Sequence, residues 1–94
     1  MPEGHEIIAR ELNEQDWRVL FSFGYAGRYV PTNEIINEDA VFSAIRLNKR
    51  GLVDYFKDDG TGKSVYGLNE NGRDFLGNYI HKMPSSLLFG AKAK

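Results

Sequence analysis

The chain contains no cysteine in its 94 residues, which excludes a disulfide framework and any thiolate metal site. No apolar run approaches the ~18 residues of a membrane-spanning helix, and the first residues lack the apolar stretch of a secretory signal. The expectation is a soluble cytoplasmic protein with no membrane partner. An excess of charge of one sign is also missing: the formal net charge is −1, without the basic surplus that usually accompanies nucleic-acid binding. No low-complexity linker and no internal repeat of useful length divides the chain.

What is present suits one small domain. Hydrophobic residues make up 41% of the chain and aromatics 13%, enough to close a single core and too much for wholesale disorder. The charge is unevenly spread. Residues 1–39 carry three basic side chains against eight acidic ones, and residues 40–94 carry nine against five. The second part is therefore the one able to turn toward an anion.

Local signals give the order of elements. Ile7, Ile8 and Leu12 fit a short leading helix or a loose arm. Asn13 is a good N-cap, with Glu14 and Asp16 in the first turn at the positive end of the helix dipole. Leu12 and Trp17 are spaced as a hydrophobic staple. Trp17, Leu20, Phe21 and Phe23 follow at helical spacing, and Gly24 and Gly27 end the segment. Tyr29-Val30-Pro31 reads as extended, because a residue before proline avoids the helical region. Thr32 or Asn33 then caps a short helix carrying Ile35 and Ile36. Asn37 breaks it, and Glu38 or Asp39 caps a helix over roughly 40–50, which Gly51 stops.

Beyond Gly51 the pattern becomes strand-like. Residues 52–57 and 64–68 form two extended runs separated by Asp58-Asp59-Gly60-Thr61-Gly62-Lys63, a loop dense in turn formers, which together predict a β-hairpin. Asn69 caps a last helix with Phe75, Leu76, Tyr79, Ile80 and Met83 on one stripe, ended by Pro84. The expected class is α+β, mostly α: a three-helix helix-turn-helix core, a hairpin wing and an additional C-terminal helix. One domain spans 1–94, with its core over about 12–82 and flexible or partner-binding ends at 1–11 and 84–94.

Two segments carry a resemblance to a known family. Arg46-Leu47-Asn48-Lys49-Arg50-Gly51-Leu52-Val53 resembles the end of a recognition helix entering a wing. Tyr66-Gly67-Leu68-Asn69-Glu70-Asn71-Gly72 resembles the junction from strand to last helix. Together they make the chain similar to winged helix-turn-helix regulators, MarR-type and small archaeal single-domain proteins among them. The resemblance implies double-stranded DNA binding by a homodimer joined through terminal helices, with the helix over 40–50 in the major groove and the wing over 52–68 beside it. A groove ~12 Å wide admits one helix, whose exposed side chains then meet base edges.

At 100° per residue, Ala40, Val41, Ala44, Ile45 and Leu47 fall on one arc of that helix. Ser43, Arg46, Lys49 and Arg50 fall on the other, with Phe42 among them. Arg46 is the expected base-edge contact, and Lys49, Arg50, Lys63 and Ser64 are the expected phosphate contacts. Thr32 and Asn33, at the start of the preceding helix, offer further phosphate ligands. Phe42 suits a thymine methyl or a protein partner. Asp58 and Asp59 would repel phosphate.

Catalytic and cofactor chemistry finds no foothold. Gly60-Thr61-Gly62-Lys63-Ser64 looks like the end of a P-loop, but the position that must hold its first glycine is Lys57 and the residues after Ser64 are extended. Asp54, Asp58 and Asp59 lack the alternating register of a calcium loop. His5 and His81 have no second ligand at metal spacing. No cofactor, metal or enzymatic activity is expected. A second reading stays open beside DNA binding: a winged helix serving as a protein-interaction module in a transcription, translation or ribosome-biogenesis assembly. Winged helices of this kind also open RIO-type kinases, which share the Leu-Asn-Lys segment. For that reading the contact points are Phe42 and the Leu87-Leu88-Phe89 tail.

Overall fold

The computed structural model describes residues 2–35, 38–57, 60 and 62–84. Its order is α1 (Pro2–Glu11), α2 (Glu14–Ala26), β1 (Val30–Pro31), a 3-10 turn (Thr32–Glu34), α3 (Glu38–Lys49), β2 (Val53–Lys57), β3 (Ser64–Leu68), α4 (Glu70–Asn78) and a second 3-10 turn (Ile80–Lys82). The architecture is α+β and mostly helical, with one small antiparallel sheet in the order β1-β3-β2. The hairpin pairs Val53 with Leu68 and Lys57 with Ser64, and β1 adds Val30 opposite Tyr66.

The start of α2 and the stops of α2 and α3 have visible causes. Asn13 caps α2 by accepting from the Asp16 amide at 2.7 Å, while the Asp16 carboxylate returns toward the Asn13 amide at 3.4 Å. This reciprocal capping box satisfies amides that would otherwise lack partners. Helix α2 runs through Gly24 and stops at Gly27. Helix α3 ends where Gly51 takes φ +81°. There the Leu52 amide reaches the Leu47 carbonyl and the Gly51 amide reaches that of Asn48, the paired bonds of a Schellman stop.

The core lies between α2, α3 and the sheet. Val19, Leu20 and Phe23 of α2 are buried with Leu47, Leu52, Val53 and Phe75. Helix α3 turns Ala40, Ser43, Ala44 and Leu47 inward. Three of these are small, so its backbone can approach α2 closely. Trp17 stacks on Phe75 at 5.5 Å between ring centres, and Tyr79 leans on both. Burial, with Tyr55 beside it, pushes the Tyr66 phenol above its ordinary value of 10.0.

The leading segment, expected as a short helix or a loose arm, is a ten-residue helix. It rests Ile8 and Ala9 on the core and sets His5 edge-on to Phe75. The short helix expected after Pro31 is a single 3-10 turn whose N-cap position is Pro31, a residue without a capping side chain, while the Thr32 hydroxyl is engaged with Ser64. The last helix stops at Asn78. The Tyr79 amide bonds three residues back, to Leu76, and the chain continues as 3-10. Ile80 and Met83 therefore leave the buried stripe and stand exposed. Ile36, Asn37, Asp58, Asp59, Thr61 and the Leu87-Leu88-Phe89 tail lie outside the described residues.

The two segments that carry the family resemblance meet in space. The Asn69 amide donates to the Leu52 carbonyl at 3.2 Å, and the Asn69 and Asn71 side chains both donate to the Gly51 carbonyl. Gly72 faces this junction so closely that a Cβ would collide with the Leu52 carbonyl. Gly77, on the same helix, has open space around it. Gly72→Ala is therefore expected to destabilise the fold by about 1–3 kcal/mol through overpacking against backbone. Gly77→Ala is expected to stabilise it by roughly 0.5–1 kcal/mol through helix propensity. Urea unfolding of the two variants checks the opposite signs.

Candidate functional site on the outward face of α3

Because α3 buries Ala40, Ser43, Ala44 and Leu47, its helical period decides what faces out. Glu38, Phe42, Ile45 and Lys49 fall within about 60° of arc, opposite the buried side. Phe42 is 56% exposed and Ile45 36%. Val41 flanks them, half-buried against the core. The centre of this face is apolar. Acidic Glu38 and Asp39 stand at its start and Lys49 at its end.

The arginines nearest this face, Arg46 and Arg50, are paired with acids of other helices. Arg46 sends Nη2 to the Asp16 carboxylate at 2.7 Å and to the Ser43 hydroxyl at 3.0 Å. Asp16 is only 3% exposed, so this contact holds a buried charge. Nη2 carries two protons, and two acceptors take them. A bidentate guanine contact needs two donors along one edge of the guanidinium. Both such edges of Arg46 include Nη2. As seated, Arg46 can offer Nε or Nη1 singly, which suits a lone acceptor and not a base edge. Arg50 pairs with Glu11 of α1 at 2.6 Å. Lys49 has no ion-pair partner among the described residues.

The remaining sequence candidates separate into small groups. Ser43, placed on the polar arc by the sequence reading, is fully buried and belongs to the core-facing side of α3. Its hydroxyl can pack there because Arg46 satisfies it. Thr32 and Ser64 are brought together, their hydroxyls 2.7 Å apart, and both are half-buried. They close the 3-10 turn onto β3. Asn33 is exposed in that turn, but three residues of 3-10 helix assemble no useful dipole for a phosphate. Lys63 is exposed just before β3.

Three functional residues were misjudged or overlooked from sequence. Ile45 was assigned to the inner arc and instead shares the outer face with Phe42. Asp16 was read only as a first-turn acid, and Glu11 was not singled out. The available signal was the charge asymmetry itself. Two acids of the first part, Asp16 and Glu11, pair with two bases that follow residue 40, Arg46 and Arg50. Among the described residues no group of three or more His, Cys, Asp or Glu side chains is placed to hold a metal ion, and no helix is long and apolar enough to cross a membrane. Comparison with protein-family models, with curated proteins and with solved structures finds no match.

The two basic residues on adjacent turns of α3 should respond differently to mutation. Arg46→Met strands the buried Asp16 carboxylate and is expected to cost about 1–3 kcal/mol. Lys49→Met is expected to stay within about 0.5 kcal/mol of the parent. Thermal unfolding of both variants at neutral pH checks this.

Proposed function

We propose that the chain is a winged-helix domain serving as a protein-interaction module, with the outward face of α3 as its contact surface. The observation that carries this reading is the exposed Phe42–Ile45 pair at the centre of a helix whose Arg46 is tied to Asp16, with Arg50, just beyond its end, tied to Glu11. An aromatic anchor ringed by charged side chains has the composition of a protein interface: apolar at its middle, polar at its rim. The element order supports the winged-helix assignment, with a helix between β1 and the hairpin and with β1 paired to β3.

The face also suggests the kind of partner. An amphipathic helix or an extended apolar segment would cover Phe42 and Ile45. Acidic groups on it would meet Lys49, and basic groups would meet Glu38. DNA is served less well. The leading end of a recognition helix enters the groove first, and here that end carries the exposed acid Glu38. The second reading, a double-stranded DNA-binding regulator acting as a homodimer, draws its support from Lys49, Lys57 and Lys63, which stand exposed on α3 and the hairpin. On that reading the contacts are to phosphates.

A photo-crosslinking phenylalanine analogue at position 42, with position 70 of α4 as the exposed control, tests the proposal in cells of the native host. One protein is expected to crosslink from position 42 and not from position 70, and to be lost when Ile45→Asp is added. Phe42→Ala is expected to weaken binding of that purified partner by about 30-fold, as for an aromatic hot spot, with unfolding unchanged. Nucleic acid crosslinked from position 42, or the same products from both positions, would overturn the proposal.

A further inference from the structure

A groove of about 440 Å³ opens beside the C-terminal half of α2, bounded by β3, α4 and the turn that follows it. It lies apart from the α3 face and shares no residue with it. The buried side chains of Phe21, Phe23, Leu68 and Leu76 line it, while Ile80 and Met83, 63% and 48% exposed, contribute accessible apolar surface. The volume falls within the roughly 300–1,000 Å³ range of small-molecule sites. Exposed apolar side chains next to a concavity mark a surface that gains by being covered.

The polar lining selects the ligand. Among the described residues, two arginines and no acidic residue line the groove. Arg28 is neutralised by Glu34 at 3.0 Å. Arg73 donates one Nη1 proton to the Leu68 carbonyl at 3.3 Å and has no ion-pair partner among the described residues. The bond to Leu68 holds the guanidinium at the groove while leaving its other donors available. A cation fixed beside an apolar concavity complements a molecule with an apolar body and one negative end.

We infer that this groove binds a small monoanionic amphiphile, a medium-chain carboxylate, with its chain over Leu68, Leu76 and Ile80 and its carboxylate on Arg73. The neutralised Arg28 leaves room for one anionic group and not two.

Titration of the full-length, isotope-labelled chain with sodium octanoate below its micellar range, followed by NMR, tests this, with 1-octanol as the uncharged probe. Saturable shifts are expected at Leu68, Leu76 and Ile80, with octanoate binding about tenfold tighter than octanol, the scale of one charge-assisted hydrogen bond. Arg73→Gln is expected to bring octanoate to the octanol level without changing octanol. Ile80→Gln, at an exposed position, is expected to weaken both. Non-saturating shifts, equal affinity for the two probes, or indifference to Arg73→Gln would overturn the inference. So would binding that appears only when Leu87, Leu88 and Phe89 are all changed to Ser, since the groove would then belong to the chain itself.

Discussion

The carboxylate of Asp16 is the contact on which the arrangement of helices turns. It completes the capping box that starts α2 and it receives the Arg46 guanidinium from α3. The group is nearly excluded from water. A buried ion pair is a modest net source of stability, because both charges were well solvated before folding. Its larger effect is on geometry. A carboxylate in that position has to be met by donors, and only one seating of α3 brings Arg46 to it. Small side chains at Ala40, Ser43 and Ala44 let the backbones approach closely enough for the contact to form.

That contact also decides what the rest of α3 presents. Arg46 is drawn sideways to α2, and Arg50, just past the end of α3, is drawn to Glu11 of α1. Phe42 and Ile45 are left facing outward. The packing thus holds α3 in place with Phe42 and Ile45 outward while Arg46 turns toward Asp16. The fold alone does not dictate the ligand; the residues on the presented face carry the argument, and here they are apolar at the centre.

Much of the architecture was legible because it follows from local chemistry. Asn13 and Asn69 announce their helices through capping, and Gly51 announces a stop that only a positive φ permits. The hairpin follows from two extended runs around a turn-rich loop. After Pro31 the N-cap position falls on the proline itself, and the expected cap Thr32 instead meets Ser64, thirty-two residues away, a contact no local signal announces. The end of α4 failed because the stripe from Phe75 to Met83 continues at helical spacing while the backbone tightens after Asn78.

The candidate site was less legible than the fold. Ser43 and Ile45 lie near the borders of the two arcs, where a few tens of degrees decide between core and solvent. Arg46 was visible as a basic residue on a suitable helix. Its partner Asp16 lies thirty positions earlier and became its neighbour only through packing. The most direct measurement is binding of fluorescent duplex DNA across a salt series, with wild type and Arg46→Ala compared. The account predicts weak binding without preference among duplexes and a shallow salt dependence, equal to about one to three phosphate contacts. Duplex-selective binding with a slope on the order of six or more contacts, abolished by Arg46→Ala in a folded protein, would contradict it.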